Sequence, residues 1–308
     1  MNLMPAVRQT ARPSSLIFFL LLISGCATTG NLTSTEKMVW STYAIGTRKG
    51  LATCVVVNRT GAGAHDAFPV VVTSAHVLSV APHGPFFLAA RVPGNGAEPS
   101  VALLEFQPTS TAEPAYVRHP VYDVAAIELP IPPDIAAQLT LPSFINENAI
   151  GTDAPRVGDE VSVLGFPQVF PGTAGAFPVL RAGRIASYAA GPRSEWGKFL
   201  VNANIYPGDS GGPVFAARRR GRPRLIGMMT ERIGPREGAV PLAVAIDARV
   251  IRETLQLLNS NETSVSPIGT ASRSVAARQY PKPTVKLLGS VPRWMRAVMG
   301  QRYSAPQR

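Results

Sequence analysis

The chain has 308 residues, of which 45% are hydrophobic and 16% charged, a composition that suits a folded globular protein and excludes an intrinsically disordered one. The formal net charge of +11 is concentrated at the two ends, because Arg8 and Arg12 in the first 25 residues and eight Lys or Arg residues after Thr263 have no acidic residue among them. The remaining 20 basic and 19 acidic residues nearly cancel, so the body of the chain shows no charge excess that indicates nucleic acid as a partner.

The N-terminus, residues 1–25, is predicted to be an export signal peptide. Two arginines precede an apolar run, residues 16–23, which is far shorter than the roughly 20 residues that a transmembrane helix needs. The next segment, Ile-Ser-Gly-Cys ending at Cys26, resembles the lipobox of bacterial lipoproteins. This resemblance implies cleavage before Cys26 and acyl chains on that residue, and simple secretion is the alternative.

If Cys26 is lipidated, residues 26–36 form a short polar tether, and Ala27 after the cysteine implies sorting to the periplasmic face of the outer membrane. The protein then has a membrane as a partner through its lipid anchor. Cys54 is the other cysteine, so the mature chain is expected to lack an intrachain disulfide. The apolar surroundings of Cys54 predict a buried residue without a reactive thiol.

Residues 37–258 are predicted to form an all-β domain. Short β-branched or apolar runs such as 54–57, 70–73 and 124–129 alternate with Gly, Pro, Asn and Asp, and no long helical pattern separates them. This spacing is typical of a sandwich or barrel. A helix is predicted late, capped by Asp247. The composition then changes to Ser, Thr, Pro and Arg, which predicts that residues 259–308 are a basic, largely disordered tail.

The strongest local motif is the hexapeptide Gly-Asp-Ser-Gly-Gly-Pro centred on Ser210. Glycines beside a serine allow close approach to a substrate carbonyl, with backbone N–H groups and the serine oxygen facing one point. The hexapeptide resembles the nucleophile loop of trypsin-like serine peptidases. This resemblance implies that Ser210 is the nucleophile and that the N–H groups of Gly208 and Ser210 form an oxyanion hole.

A serine nucleophile needs a general base and an acid that orients the base. His76 follows a β-rich run in a Thr-Ser-Ala-His segment that resembles the family's general-base segment, whereas His65, His83 and His119 lack a comparable setting. Asp123 opens an apolar strand and matches the family's acidic segment. The predicted catalytic triad is therefore His76, Asp123 and Ser210.

The resemblance extends over about residues 40–258 and implies two six-stranded antiparallel β-barrels of the chymotrypsin type with a C-terminal helix. Asp209 is interpreted as an acid that structures the loop, since an acylated N-terminus cannot pair with it. The specificity pocket is assigned by position in the family to Asn204, Thr230 and Ala243. Because no acid stands at Asn204, we expect an uncharged pocket for a small or aliphatic side chain rather than one for Arg or Lys.

The leading hypothesis is a serine endopeptidase at the cell envelope that acts on protein or peptide substrates. It is expected to be a monomer, to need no metal or organic cofactor, and to lack the PDZ domain of the high-temperature-requirement proteases. The alternative is a catalytically inactive protein of the same fold that binds peptides or partners at the envelope.

Overall fold

The computed structural model describes residues 32–60, 67–92, 100–110, 114–139, 145–152, 156–168, 176–188, 197–216, 224–233, 241–258 and 282–288. The predicted signal peptide and Cys26 lie outside these ranges. The strands are β1 Thr42–Thr47, β2 Gly50–Thr60, β3 Ala67–Thr73, β4 Phe86–Val92, β5 Ser100–Gln107, β6 Val117–Arg118, β7 Ala125–Glu128, β8 Ile145–Asn146, β9 Glu160–Gly165, β10 Val179–Tyr188, β11 Lys198–Asn202, β12 Pro213–Ala216, β13 Arg224–Arg232, β14 Leu242–Asp247 and β15 Thr284–Leu288. The helices are α1 Ser34–Ser41, α2 Ala75–Ser79, α3 Pro133–Ala136 and α4 Ala248–Leu257, with a 3₁₀ turn at Glu147–Ala149.

The strands form two units, and both confirm the predicted all-β, chymotrypsin-like class. The second unit is a closed barrel in the order β10-β11-β14-β13-β12-β9, which is the six-stranded barrel that was predicted. The first unit differs from the prediction, because it is a nine-stranded sheet in the order β15-β5-β4-β1-β2-β3-β7-β6, with β8 added to β2 in parallel. The additional members are β15 and the two-residue strands β6 and β8.

The continuous apolar runs of β2 and β3 are explained by burial on both faces of the first sheet. Successive side chains of a strand point to opposite faces. Val55 and Val57 pack in a cluster that includes residues of the second barrel and α4, whereas Val56 and Val71 pack in the interior of the first unit. All four are fully buried. Such strands read as unbroken hydrophobic runs rather than as an alternation.

Helix α4 closes the fold against both units. Asp247 caps it as predicted, accepting a hydrogen bond from the backbone N–H of Arg249 at 2.8 Å. Its buried face includes Val250, Ile251 and Leu255, all 0% exposed, which belong to the cluster shared with Val55 and Val57. Helical spacing in the sequence predicted this face.

Two segments at the ends differ from the predicted boundaries. Helix α1 begins inside the predicted tether, at Ser34, because Thr33 and Glu36 form a capping box. In the predicted tail, Thr284–Leu288 pair with β5, and Val285 and Leu287 pack against the core of the first unit. The folded region therefore extends beyond residue 258. In the part of the chain that the structure describes, no helix is long and apolar enough to span a membrane.

Candidate active site

The loop around Ser210 depends on two glycines with positive φ. Gly208 has a φ of 100° and Gly211 one of 84°, backbone conformations that other residues rarely adopt. A Cβ at Gly208 would overlap the carbonyl oxygen of Phe166, and one at Gly211 would overlap that of Thr53. The close approach of neighbouring backbone explains why the motif requires glycine at these positions.

Thr53 on β2 holds this loop from the first unit. Its N–H donates to the carbonyl of Ser210 at 2.9 Å, and its hydroxyl donates to the carbonyl of Gly208 at 2.7 Å. The same hydroxyl accepts from the N–H of Phe166 at 2.9 Å. Thr53 therefore positions the nucleophile loop, a role that the sequence analysis missed because 157 positions separate Thr53 from Ser210 in the chain.

The predicted oxyanion hole requires backbone N–H groups of this loop that donate to no carbonyl of the protein. The N–H groups of Asp209, Gly211 and Gly212 donate to backbone carbonyls at 2.8–3.0 Å. Within the described residues, the N–H groups of Gly208 and Ser210 have no such partner. Two unpaired donors on one tight loop suit an oxygen that gains negative charge during acyl transfer.

His76 and Asp123, the predicted base and acid, contact each other through two hydrogen bonds. The Nδ1 of His76 lies 2.6 Å from Oδ2 of Asp123, and the backbone N–H of His76 donates to Oδ1 at 2.7 Å. The hydroxyl of Thr230 donates to the same Oδ2 at 2.9 Å. These three contacts fix the carboxylate, which in turn fixes the ring and its tautomer.

The two partners shift each other's protonation. The hydrogen bond with Asp123 raises the pKa of His76 and exceeds the opposing effect of burial. Burial by itself would raise the pKa of Asp123, but the hydrogen bonds from the ring and N–H of His76, together with that from Thr230, lower it below its ordinary value. The pair therefore favours a carboxylate beside a ring that accepts a proton readily.

Ser210 and His76 line one cleft of about 270 Å³, together with Gly208 and Pro207. The Ser210 hydroxyl is half-buried and donates to the carbonyl of Thr230 at 3.5 Å, a long contact. This hydrogen bond goes to Thr230 rather than to His76. The contact of a catalytic serine with its base is often long in a free enzyme and tightens when substrate binds. The structure thus places His76 and Ser210 on the cleft, and Asp123 contacts His76 without lining the cleft itself.

Behind the loop, Asp209 is fully buried and pairs with Arg181 of β10. The guanidinium contacts the two carboxylate oxygens at 2.5 and 2.7 Å, and the N–H of Tyr206 donates to the same carboxylate at 2.7 Å. The predicted role of Asp209 as a loop-structuring acid agrees with this geometry. Sequence reasoning missed its partner Arg181, 28 positions away, and no local motif marks that residue.

The three residues of the predicted specificity pocket do not form the walls of one pocket. Asn204 is exposed, and its carbonyl accepts from Arg181 at 3.1 Å. The hydroxyl of Thr230 is used by Asp123, so this residue supports the triad. Ala243 is 0% exposed in the core of the second barrel, so its side chain cannot be a pocket wall. Only Asn204 remains as a predicted pocket residue.

His119, which the sequence analysis set aside, is buried at the start of the loop that leads to Asp123. Its Nδ1 accepts from the N–H groups of Val121 and Tyr122 at 3.1 and 3.0 Å, and its Nε2 lies 3.1 Å from Glu253 of α4. Two donors at Nδ1 require the proton at Nε2, so the ring links α4 to the Asp123 loop.

Two other features carry no chemistry. Cys54 is fully buried, and burial raises the pKa of its thiol, which agrees with the predicted inert role. Across the described ranges, no group of three or more His, Cys, Asp or Glu side chains is arranged to hold a metal ion.

The fold is that of the chymotrypsin-like peptidases, and sequence comparison identifies the family. Residues 52–228, more than half of the chain, match the trypsin-like peptidase domain, and the chain belongs to this family. No curated protein matches the sequence significantly.

Solved structures that match this chain in part include Rv3671c from M. tuberculosis H37Rv in an inactive form, at a TM-score of 0.47 and 18% identity, covering 78% of this chain and 96% of that one. The HtrA-type protease AlgW with a tripeptide is similar at a TM-score of 0.49 and 18% identity, covering 75% of this chain and 64% of that one.

Proposed function

We propose that the protein is a serine endopeptidase that hydrolyses peptide bonds through an acyl-enzyme on Ser210. The observation that carries this proposal is the contact of His76 with Asp123 at 2.6 Å, because His76 lines one cleft together with Ser210 and Gly208. Membership of the trypsin-like peptidase family supports a peptidase, and the geometry of these residues supports the serine mechanism.

In the acylation step, the oxygen of Ser210 attacks the scissile carbonyl while its proton passes to Nε2 of His76. Asp123 stabilises the imidazolium, and the N–H groups of Gly208 and Ser210 stabilise the oxyanion. The C–N bond then breaks, and His76 gives its proton to the leaving amine. Water deacylates Ser210 by the same route in reverse. The reaction needs no metal or organic cofactor.

Labelling with a fluorophosphonate tests this proposal directly. The mature wild-type protein is expected to be labelled and to cleave denatured casein, whereas Ser210→Ala and His76→Ala are expected to do neither. Ser187→Ala, a serine whose hydroxyl donates to a backbone carbonyl in β10, is the matched control and should behave as wild type. A folded wild type that binds peptides without labelling or turnover would favour the catalytically inactive binding protein.

We also propose that a lipid on Cys26 anchors a monomer to the periplasmic face of the outer membrane, where its substrates are proteins or peptides. The support is the lipobox-like segment that ends at Cys26. In a Gram-negative host, wild-type protein should fractionate with outer membranes, and intact-mass analysis should find acyl chains on Cys26. Cys26→Ser should appear in the soluble fraction. A wild type without acyl mass would refute the anchor and leave the peptidase proposal untouched.

A further inference from the structure

The cleft that Ser210 and His76 line extends past His76 along α2 to Val80. His76 must protonate the leaving amine, so the first residue after the scissile bond has to lie within hydrogen-bond reach of that ring. The cleft is lined by His76, by Val77 and Val80 of the α2 segment, and by the β1–β2 hairpin with its turn residue Lys49. A peptide segment after the scissile bond therefore enters this cleft.

Lys49 places an ammonium group at the outer part of this cleft. Its Nζ donates to the carbonyl of Val80 at 3.2 Å, and Val80 caps α2 four residues after His76. Four helical residues span about 6 Å, and an extended substrate advances about 3.4 Å per residue. The ammonium thus lies within reach of a side chain on the first or second residue after the scissile bond.

The charge of the cleft near Lys49 favours a carboxylate on the first or second residue after the scissile bond. Lys49 is exposed and has three N–H donors, of which the contact with Val80 uses one. None of the described residues that line the cleft is acidic. Leu51, Val77 and Val80 supply apolar surface for the stem of a side chain. A substrate with a basic side chain here would meet a like charge.

We propose that Lys49 makes this protein select substrates with Asp or Glu at the first or second residue after the scissile bond. The inference rests on the proposed peptidase function and names the substrate class for the same site. An ion pair at an exposed rim contributes modestly and is screened by salt, so we expect a preference of about five-fold in kcat/KM for acidic over basic side chains at low ionic strength.

The test begins by identifying, with mass spectrometry, one bond that the wild type cleaves in denatured casein. Fluorogenic peptides are then built around that bond. The peptides carry Asp, Asn or Lys at each of the first two positions after that bond. Wild type should prefer Asp over Lys, and 0.5 M NaCl should reduce the difference. Lys49→Glu should prefer Lys over Asp at one of the two positions. The ratio of the two kcat/KM values should be about as large as the ratio by which the wild type prefers Asp.

Arg48→Glu is the matched control, because it makes the same charge change on the neighbouring exposed turn residue, which does not line the cleft. It should keep the wild-type preference. A nitroanilide substrate, which has no residue after the scissile bond, measures the effect of each substitution on the chemical step itself, and the peptide rates of each variant are divided by its nitroanilide rate. Equal rates for Asp and Lys peptides in wild type, or equal effects of the two variants, would overturn the inference. Absence of cleavage together with absence of fluorophosphonate labelling would instead overturn the proposed function.

Discussion

Arg181 and Asp209 form a bidentate ion pair directly behind the nucleophile loop, with nitrogen–oxygen distances of 2.5 and 2.7 Å. Asp209 precedes Ser210 in the chain and is 0% exposed, while the side chain of Arg181 is 16% exposed. Because the same carboxylate accepts the N–H of Tyr206, the pair ties β10 to both sides of the turn that carries the oxyanion donors.

Replacement of Arg181 by Met should therefore damage both stability and catalysis. It leaves the buried carboxylate of Asp209 without its charged partner, which typically costs about 3–5 kcal/mol in the free energy of unfolding. We expect kcat to fall more than KM rises, because the loop that presents the Gly208 and Ser210 donors loses its support. Urea unfolding and peptidase kinetics would measure the two effects.

Two variants control this experiment. Arg181→Lys keeps the charge but cannot form two parallel hydrogen bonds, so it should be intermediate. Arg184 lies on β10 like Arg181 and forms an exposed ion pair with Glu160 of β9. Arg184→Met should have nearly wild-type stability and kcat, since exposed ion pairs contribute little. Equal losses in the Arg181 and Arg184 variants would contradict the role assigned to the buried pair.

The pH dependence of activity should follow the pair of His76 and Asp123. His76 must be neutral to accept the serine proton, and the hydrogen bond to Asp123 raises its pKa. The acid limb of kcat/KM is therefore expected above the ordinary histidine pKa of about 6.5. Asp123→Asn should move this limb to lower pH and reduce kcat by about 10³–10⁴-fold. A limb that stays in place in the variant would contradict the assignment of Asp123 as the partner.

Stability should depend on pH through the same two groups. The raised pKa of His76 contributes stability at pH values below its unfolded pKa of about 6.5, and this contribution is lost as pH rises through the folded value. The lowered pKa of Asp123 contributes above its unfolded value of about 3.9 and is lost as pH falls through the folded one. The difference in Tm between wild type and Asp123→Asn should be largest between about pH 4 and 6.5. A difference that does not vary with pH would refute this linkage.

The contact between His119 and Glu253 should hold the loop that leads to Asp123 and so help to position its carboxylate. His119→Leu removes the ring that accepts the N–H groups of Val121 and Tyr122 and contacts the carboxylate of Glu253, and loss of a buried hydrogen-bonding side chain typically costs about 1–3 kcal/mol. We expect a lower Tm and a lower kcat at unchanged KM. His83→Leu, at an exposed histidine, is the control and should change neither quantity. A His119→Leu variant with wild-type kcat would show that the link does not position Asp123.

The contact of His76 with Asp123 and the position of Ser210 on the same cleft as His76 agree with the prediction, because each residue lies in a short segment whose residue types are set by chemistry. The glycines beside Ser210 are fixed by close approach of neighbouring backbone, and Asp123 lies two residues before the buried strand β7. Arg181 was not predictable, since only the pairing of β9 with β10 brings it to Asp209. Ala243 was misassigned because the face of a strand on which a residue lies depends on register, and in β14 the residue opposite Val201 of β11 points into the core of the second barrel.

Strand β15 could not be predicted from the sequence either, because a five-residue strand in a Ser- and Pro-rich segment is stable only when it pairs with another strand. It pairs with β5 along its whole length, and the ammonium of Lys282 lies 2.5 Å from the carboxylate of Glu128. Val285 and Leu287 face the core of the first unit, whereas Thr284 is exposed. The segment thus covers an edge of the sheet that would otherwise present unpaired backbone groups.

Leu287→Asp should consequently destabilise the protein, because it places a charge against an apolar core, whereas Thr284→Asp on the same strand should have little effect. We expect a loss of about 2 kcal/mol or more in the free energy of unfolding for the first and less than about 0.5 kcal/mol for the second. Urea unfolding, together with hydrogen exchange at the backbone amides of β5, would measure both. If Leu287→Asp unfolds at the wild-type urea concentration and the β5 amides remain protected, the strand contributes nothing to the fold. Faster exchange in β5 for Leu287→Asp alone would mean that the C-terminal region is part of the folded peptidase domain.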